Sequence, residues 1–359
     1  MSSASTDHDA RFMRRCVELA RGAAGRTAPN PMVGAVITLD GKVIAEGVTQ
    51  PLGQDHAEPN ALGKLGGRAP GATLYVSLEP CCHHGLTPPC TEAILKSGIV
   101  RVVIGMVDPD PRVQGQGIEI LRAAGIQVEL GLCEDSCRDL NAGFIKAQEQ
   151  GLPRVWLKTA VTLDGHIADA YGTSQWITSP EARREGHRMR DRSDGILVGA
   201  GTLISDDPQL TTRLPEGGRD PLRVVIDTHL RIPEGARLFQ AGDRPPVVFC
   251  GMDAPERKLP ARIIRVGAGP GGLDLHEIMR ELVTLGVHNL LVEGGGVLSR
   301  SLLNQGLVDR LLVFLAPKIL AGGVNFVGGA PFALPNAPRF RFRSTRRVGP
   351  DLLLDLELV

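Results

Sequence analysis

The sequence predicts an α/β protein with two domains, and three observations support this prediction. The chain has 359 residues, which is more than one hydrophobic core of ordinary size accommodates. Short apolar runs typical of buried strands alternate with amphipathic segments along most of its length. The run Gln150-Gly151-Leu152-Pro153 interrupts this alternation near the middle of the chain. We therefore place a first domain at residues 1–150 and a second at residues 151–359.

The first domain is predicted to alternate helices and strands. Asp40-Gly41 separates two apolar runs, which indicates a tight β-hairpin. Asp55 is the expected N-cap of a helix with His56 and Glu58 in its first turn. The predicted strands cover residues 33–38, 42–47, 72–78, 100–106 and 128–130, and the predicted helices cover residues 9–22, 55–65, 91–97, 115–124 and 135–149. Short loops between these elements favour a three-layer α/β/α arrangement.

The second domain begins with a β-type run over residues 154–160. Ser179 is the expected N-cap of a basic helix with Pro180 at its first position, ending at Arg192. Further strands are predicted at residues 195–198, 222–226 and 289–293, and the last strand leads through a glycine run into a helix over residues 297–305. This half is therefore also predicted to be α/β.

Composition and charge exclude several classes of function. Apolar residues make up 42% of the chain, and no apolar run approaches the ~20 residues of a membrane helix. With 40 basic and 40 acidic residues, the chain lacks the positive excess typical of nucleic-acid-binding proteins. Residues 1–9 lack the basic and apolar segments of a secretion signal. We therefore expect a cytoplasmic protein that acts on small molecules, with no nucleic-acid or membrane partner.

A cluster of metal-binding residue types stands out in the first domain. His56-Ala57-Glu58 is followed by Cys81 and, nine residues later, by Cys90. One imidazole nitrogen and two thiolates give Zn²⁺ three ligands and leave a fourth position for water, whose pKa the metal lowers towards neutrality. Glu58 would then carry protons from that water to a leaving amine, as in nucleobase deaminases. Crowding of three of the seven cysteines into residues 81–90 also favours a metal site over a disulfide framework.

A structural zinc site is the alternative interpretation of these residues. It requires a fourth protein ligand, for which Cys82, His83 and His84 are available. Glu58 lies two residues after His56, and the cysteines follow a strand–loop–helix order. Both features favour a catalytic zinc site. We therefore expect Cys82 to be packed, and His83 and His84 to lie in a loop or to contact the substrate.

Three weaker signals also point to binding. Asn30 lies between two prolines and presents an amide that can donate to and accept from a heterocycle, although Asn30 taken alone is better explained as an ordinary turn residue. The run Gly294-Gly295-Gly296 joins a strand to a helix N-terminus, where free backbone N–H groups can hold a phosphate. Its spacing does not indicate a Rossmann fold. Arg190 and Arg213 are candidate phosphate ligands because a guanidinium can grip phosphate at two points.

Several long motifs resemble one known family. In the first half they are Asn30-Pro31-x-Val33-Gly34, His56-Ala57-Glu58 and Glu79-Pro80-Cys81-x-His83-x-Gly85-x-Thr87-Pro88-Pro89-Cys90. In the second half they are Ser174-Gln175-Trp176-Ile177-Thr178-Ser179, Asp206-Asp207-Pro208-x-Leu210-Thr211-x-Arg213, Val292-Glu293-Gly294-Gly295 and Ala316-Pro317-Lys318. Along nearly its whole length the chain resembles the bifunctional deaminase–reductases of bacterial riboflavin biosynthesis. The wide spacing of the two cysteines is characteristic of that family.

The resemblance implies a cytidine-deaminase-like first domain and a dihydrofolate-reductase-like second domain. The first would hydrolyse the 2-amino group of 2,5-diamino-6-(5-phosphoribosylamino)pyrimidin-4(3H)-one, with one zinc on His56, Cys81 and Cys90 and with Glu58 as proton carrier. The second would use NADPH to reduce the ribosyl chain to ribityl by hydride delivery to C1′.

The resemblance also implies the residues of the second site. The nicotinamide nucleotide would contact Ala160, Trp176, Thr202, Asp206 and Thr228. Its phosphates would be held by Gly294, Gly295, Gly296, Val297, Leu298, Ser299, Arg300 and Ser301. The substrate would be held by Ser174, Arg190, Leu210, Arg213 and Glu293, with the two arginines on its 5′-phosphate. Lys158 would contact the ribose or act as an acid–base group.

The chain departs from the family pattern at Cys82, where serine is usual, and at Pro59-Asn60, where Val-His is common. Only local substrate contacts are affected. Two alternative functions remain open at this point: a nucleoside or tRNA deaminase with an unrelated second domain, and a non-catalytic binding module held together by zinc. A two-domain enzyme of this kind is expected to form a homo-oligomer.

Overall fold

The computed structural model describes residues 3–359 of the chain. The chain divides into two compact units, Met1–Gly151 and Leu152–Val359. The first unit ends one residue after the boundary predicted from the sequence.

The first unit contains five strands in one sheet. In chain order its elements are α1 (Ser3–Arg21), β1 (Gly34–Leu39), β2 (Lys42–Val48), α2 (Ala57–Gly63), β3 (Thr73–Val76), α3 (Cys90–Ser97), β4 (Arg101–Ile104), α4 (Gln116–Ala123), β5 (Gln127–Leu130), α5 (Glu134–Leu140) and α6 (Ala142–Gln150). The strand order is β2-β1-β3-β4-β5, with β3, β4 and β5 parallel and β1 antiparallel to both of its neighbours. The predicted hairpin at Asp40-Gly41 is confirmed, since both residues have the positive φ that a type I′ turn requires.

Helices cover both faces of this sheet. A side chain on Gly47 would collide with the backbone of α2 at Ala57, and one on Gly34 would collide with the backbone of α1 at Cys16. Gly47 pairs with Ala35, the residue after Gly34, so the two glycines point to opposite faces. Both helices therefore approach the sheet closely from opposite sides, which confirms the predicted three-layer α/β/α arrangement.

The helix boundaries differ from the predictions in three main places, and the first is α1, which begins at Ser3 rather than at residue 9. His56, not Asp55, is the N-cap residue of α2, and the helix ends at Gly63. The helix predicted over residues 135–149 is two helices that meet at Asn141. The side chain of Asn141 is buried and exchanges two hydrogen bonds with the backbone of Met32, accepting from N at 2.8 Å and donating to O at 3.0 Å. Tertiary contacts thus override the local helical pattern.

The second unit is built on a nine-stranded sheet. In chain order its elements are β6 (Arg154–Thr162), β7 (His166–Ala168), α7 (Pro180–Arg192), β8 (Gly195–Gly199), α8 (Ala200–Asp206), β9 (Leu222–Ile226), α9 (Arg237–Gln240), β10 (Val247–Gly251), β11 (Arg262–Val266), β12 (Ala268–Gly269), β13 (Gly272–Leu273), α10 (Leu275–Thr284), β14 (Asn289–Val292), α11 (Gly296–Asn304), β15 (Arg310–Ala316), β16 (Val324–Asn325), β17 (Phe340–Val348) and β18 (Asp351–Leu358). The large sheet has the order β11-β10-β9-β8-β14-β6-β15-β18-β17.

Most of this sheet is parallel, and only the last two strands, β18 and β17, are antiparallel to their neighbours. The strands of its central part are buried, as parallel strands covered by helices are expected to be. The predicted cap of α7 is confirmed, because the Ser179 hydroxyl accepts from Ala182 N at 3.2 Å and Pro180 opens the helix. The carboxyl ends of β8, β14 and β9 meet at one edge, which is where an open parallel sheet places ligands.

Candidate metal centre and glycine-rich pocket

Three predicted zinc ligands converge in the first unit. His56 caps α2, Cys90 opens α3, and Cys81 lies in the loop after β3. Nδ1 of His56 lies 3.5 Å from Sγ of Cys81 and 3.4 Å from Sγ of Cys90. Across residues 3–359, this is the one group of three or more His, Cys, Asp or Glu side chains whose ligand atoms converge on a shared point, all within 4.8 Å of one another.

The spacing of these atoms fits zinc. Tetrahedral geometry with Zn–N and Zn–S bonds of about 2.1 and 2.3 Å puts the nitrogen about 3.6 Å from each sulfur. The observed separations of 3.4 and 3.5 Å are close to that value. One nitrogen and two sulfurs are also the donor set of a zinc site that keeps an open position. The site therefore suits Zn²⁺ in geometry and in donor type.

The ionisation of each cysteine depends on the other. Their side chains contact each other, and this contact lowers the pKa of Cys81 to about 4 while it raises the pKa of Cys90 well above its ordinary value. His56 lowers the Cys81 pKa further, and the Cys90 backbone N–H donates to Cys81 Sγ at 3.3 Å. In return, the contact with Cys81 raises the pKa of His56. One thiolate is thus already stabilised in the folded chain, as metal binding requires.

Glu58 lies in the first turn of α2, two residues after His56, and only 3% of it is exposed. Burial, followed by the negative charge of Cys81, raises the pKa of the Glu58 carboxyl to about 7. Its side chain also contacts that of Cys90. A buried carboxyl that changes protonation near neutral pH, beside a metal site, has the properties of a proton carrier.

The residues considered as a fourth ligand point elsewhere. Sγ of Cys82 faces the carbonyl oxygen of Arg112 at 3.6 Å, and Nε2 of His84 lies 3.6 Å from a carboxylate oxygen of Glu92. His83 is not a member of the converging group among the described residues. The arrangement therefore favours an open fourth position over a closed structural site.

Glu79 is a residue whose role the sequence did not reveal. Its buried carboxylate accepts hydrogen bonds from the backbone N–H groups of Asp108, Gly115 and Ile118 at 3.2, 3.0 and 3.2 Å. These bonds fix the loop after β4 against the loop that carries Cys81. The position of Glu79 directly before Pro80-Cys81 could have indicated a role near the metal site. No local sequence pattern, however, identifies backbone partners that lie so far along the chain.

Two other residues of the first unit have clear positions. Asn30 is half-buried in the turn before β1, and its backbone N–H donates to Thr27 O at 2.9 Å. Asn60, which departs from the family pattern, uses its side-chain oxygen to accept from Val48 N at 3.2 Å. Asn60 therefore ties α2 to the end of β2, whereas contact of Asn30 with a substrate stays a prediction.

The second unit contains a cavity of about 460 Å³ at the carboxyl ends of its central strands. Eleven of the predicted site residues line it: Lys158, Ala160, Ser174, Thr202, Asp206, Glu293, Gly294, Gly295, Gly296, Val297 and Leu298. The N-terminus of α11 therefore opens into this space. Its first N–H groups have no partner within the helix and form a natural phosphate site.

The remaining predicted residues lie outside the lining. The hydroxyls of Ser299 and Ser301 donate hydrogen bonds to the backbone carbonyl oxygens of Gly295 and Val297, one helical turn earlier. Arg300 stacks on the ring of Phe332. Trp176 is 61% exposed and carries the guanidinium of Arg183 over its ring at 4.3 Å. Thr228 follows β9 at the same edge of the sheet, beside the end of β8.

Two basic side chains approach one carboxylate beside the cavity. Glu293 accepts from Nε and Nη2 of Arg190 at 3.0 and 2.9 Å, and Nζ of Lys158 lies 3.8 Å from the same carboxylate. Burial favours the neutral acid, but Arg190 and Lys158 outweigh it and lower the pKa of Glu293 to about 2. Arg190 is therefore engaged by Glu293 in this structure, and its contact with a substrate phosphate stays a prediction.

Leu210 and Arg213 belong to the loop that faces α7. Leu210 as a whole is only 2% exposed and its side chain packs in the hydrophobic core, so its contact with a ligand stays a prediction. Arg213 is exposed, and its Nη1 donates to the Thr211 hydroxyl at 2.9 Å. Burial, with Arg190 and Arg237 nearby, lowers the pKa of Arg213. A local excess of positive charge of this kind favours an anion.

No helix within residues 3–359 is both long enough and apolar enough to cross a membrane.

Comparison with known families assigns each half of the chain. The model of the RibD C-terminal domain matches residues 153–354, and that of the cytidine and deoxycytidylate deaminase zinc-binding region matches residues 6–106. The zinc-binding match includes His56, Glu58, Cys81 and Cys90. The match of the second half excludes the alternative of an unrelated appendage.

Similar proteins cover the whole length of the chain. Riboflavin biosynthesis protein RibD of Aquifex aeolicus is 40% identical over 96% of this chain and 97% of its own length, and that of Escherichia coli K12 is 40% identical over 97% and 99%. Among solved structures, RibD of Acinetobacter baumannii has a TM-score of 0.90 at 35% identity, with 99% of both chains covered. The diaminohydroxyphosphoribosylaminopyrimidine deaminase/5-amino-6-(5-phosphoribosylamino)uracil reductase of Thermotoga maritima has a TM-score of 0.89 at 37% identity, with 99% of this chain and 100% of that chain covered. The chain therefore belongs to the RibD family of riboflavin biosynthesis proteins.

Proposed function

We propose that the first unit removes the 2-amino group of 2,5-diamino-6-(5-phosphoribosylamino)pyrimidin-4(3H)-one, and that the second unit reduces the ribosyl chain of the resulting uracil with NADPH. The observation that carries the proposal is the convergence of His56, Cys81 and Cys90 beside the buried acid Glu58, two residues after His56 in the first turn of α2. The Thermotoga maritima relative, with the same two activities in its description, supports the order of the two reactions.

In the deaminase unit Nδ1 of His56 and the sulfurs of Cys81 and Cys90 would hold the metal. Zinc bound there supplies the positive charge that makes water nucleophilic at neutral pH. Glu58 takes a proton from the attacking water and delivers one to the departing amino group, so C2 gains an oxygen and ammonia leaves. The buried position of Glu58 favours this role, because proton transfer is efficient when the acid has a pKa near the working pH.

In the reductase unit the cavity between Lys158 and Val297 holds the cofactor and the ribosyl chain. NADPH supplies the hydride that is added to C1′. The N-terminus of α11 holds its phosphates, because the glycines of the turn allow the phosphates to approach the backbone N–H groups closely. Ala160, Thr202 and Asp206 lie on the cavity wall and orient the nicotinamide nucleotide, while Trp176 and Thr228 contact it at the rim.

The substrate lies beside the charged side chains of the same cavity. Ser174 and Lys158 face it from the wall, and Arg213 binds the 5′-phosphate from the loop opposite α7. Arg190 and Glu293 act together, since their ion pair leaves Arg190 little capacity to bind phosphate directly. Leu210 supports the Arg213 loop from the core, in which it is buried.

One experiment tests both halves of the proposal. The purified full-length chain is incubated with the diaminopyrimidine phosphate, with and without NADPH, and the products are identified by mass. Without NADPH we expect a gain of about 1 Da, the difference between an amino group and the oxygen that replaces it. With NADPH we expect a further gain of about 2 Da from one hydride and one proton. Cytidine and RNA serve as control substrates, and deamination of either one in preference would contradict the assignment.

Three further properties belong to the proposal. The equal numbers of basic and acidic residues support action without nucleic acid. The metal site depends on free thiols, which supports a reducing compartment such as the cytoplasm. A homo-oligomer is the common state of enzymes of this size, and sedimentation of the purified chain measures it.

A further inference from the structure

Helix α7 holds the loop that carries Arg213 at two points. Nη1 of Arg190 donates to the carbonyl oxygen of Thr211 at 2.9 Å. Nδ1 of His187 accepts from the backbone N–H of Arg213 at 3.3 Å. His187 and Arg190 are three residues apart and so lie on one face of the helix. The backbone is thereby fixed on both sides of Thr212, directly where the Arg213 side chain departs.

His187 can act only as a neutral acceptor in this position. It is half-buried, and burial together with the charges of Arg190 and Arg213 lowers its pKa to about 4. Its ring is therefore uncharged near neutral pH, and Nδ1 keeps the lone pair that the Arg213 N–H needs. A protonated ring would instead repel both arginines. Glu293 counteracts this repulsion only in part.

The loop also has little freedom of its own at this point. Leu210 adopts a φ of 57°, which a non-glycine residue rarely takes. Its buried side chain anchors one end of the segment in the core. The contacts from α7 then determine the direction of the next three residues. Arg213 itself adds a bond from Nη1 to the hydroxyl of Thr211 at 2.9 Å.

We propose that His187 is a positioning residue of the reductase site, which directs the Arg213 guanidinium to the substrate phosphate by accepting the Arg213 backbone N–H. This inference rests on the proposed phosphate-binding role of Arg213. His187 has no direct contact with the substrate in this scheme. Its effect is transmitted through one backbone hydrogen bond.

The test is a double-mutant cycle in the full-length chain, measured with the phosphorylated substrate and with the same compound lacking its phosphate. His187→Leu removes the acceptor, and we expect KM for the phosphorylated substrate to rise about fivefold with kcat little changed. His187→Asn places an oxygen near the position of Nδ1 and should restore most of the wild-type KM. In the Arg213→Ala background, His187→Leu should have no further effect, because the two residues act in series. Deamination by the first unit reports on whether each preparation is intact.

The controls separate two kinds of failure. Arg188→Ala removes a neighbouring charge on the exposed side of α7 and should leave KM unchanged. If Arg213→Ala fails to raise KM selectively for the phosphorylated substrate, the proposed phosphate contact is wrong. The positioning role of His187 is then wrong as well. If Arg213→Ala raises KM but His187→Leu does not, or if the two effects simply add, only the role of His187 is overturned. Failure of His187→Asn to restore KM would also count against the backbone hydrogen bond.

Discussion

Arg190 and Glu293 form a two-point ion pair at the edge of the reductase cavity, with donor–acceptor distances of 3.0 and 2.9 Å. The pair joins α7 to the end of β14, directly before the glycine turn that leads into α11. Lys158 lies on the neighbouring strand, one residue beyond the point where Leu157 pairs with Val292. One carboxylate thus connects the helix, two strands and the proposed cofactor turn.

The first prediction concerns the pH dependence of this ion pair. The pKa of Glu293 is about 2 in the folded chain and is ordinarily 4.5. Because its pKa is lowered by folding, the ionised Glu293 carboxylate adds to the free energy of unfolding. This contribution is complete above pH 4.5 and is lost as the pH falls towards 2. Glu293→Gln should therefore destabilise the second unit by about 3 kcal/mol near neutral pH. The difference from wild type should shrink below pH 4.5.

Tryptophan fluorescence during urea unfolding measures this difference, because both tryptophans of the chain, Trp156 and Trp176, lie in the second unit. Glu256→Gln is the matched control, since Glu256 is an acid of the same unit whose side chain is 98% exposed. A difference between Glu293→Gln and wild type that stays constant down to pH 2 would contradict the assigned ion pair.

The second prediction separates the proton carrier from the metal ligands. Glu58→Gln keeps the size of the side chain but cannot transfer a proton, so deamination should fall at least about 100-fold. Zinc content, measured by mass spectrometry of the metal, and reduction of the uracil should both stay at the wild-type level. Glu92→Gln is the control, because Glu92 occupies the first turn of α3 but its side chain is partly exposed and paired with Lys96. Near-normal deamination by Glu58→Gln would exclude Glu58 as the proton carrier.

The third prediction distinguishes the two cysteines at the ends of the motif from the one inside it. Cys90→Ser replaces a converging thiolate by a poor zinc ligand, so we expect loss of most bound zinc and of deamination. Cys82→Ser should keep both, because Cys82 Sγ faces the carbonyl of Arg112 rather than the metal site. Equal zinc loss in the two variants would favour a site of different composition.

The sequence was sufficient to identify the zinc site because its ligands lie at the ends of regular elements. His56 precedes α2 and Cys90 begins α3, so the local signals that predict the helices also predict where these side chains lie. The long intervening loop of residues 81–89 looked unusual by spacing alone. In the structure the backbone N–H of Cys90 donates to Cys81 Sγ, so the loop closes on itself at its two cysteines.

Residues that act across long distances in the sequence were not predictable in this way. Asn141 breaks one expected helix in two because it binds the backbone of Met32, 109 residues earlier. Arg190 pairs with Glu293, which lies 103 residues away, and no local pattern indicates this ion pair. His187 gave no signal at all, since its contact with the Arg213 backbone depends on how the loop packs against α7. Such contacts depend on tertiary packing rather than on local pattern.

The last prediction tests the close approach at the start of α11. A side chain on Gly296 would place its Cβ 2.7 Å from the backbone nitrogen of Gly328 and 2.8 Å from the carbonyl oxygen of Asn325. Both contacts are with backbone, so Gly296→Ala must displace either residues 325–328 or the helix N-terminus, at a cost of about 1–3 kcal/mol. Because the first turn of α11 is the proposed phosphate site, KM for NADPH should rise about tenfold while deamination is unchanged. Gly235→Ala is the control, since a Cβ there meets no atom within 4 Å. An unchanged KM in Gly296→Ala would show that the cofactor phosphates lie away from this turn.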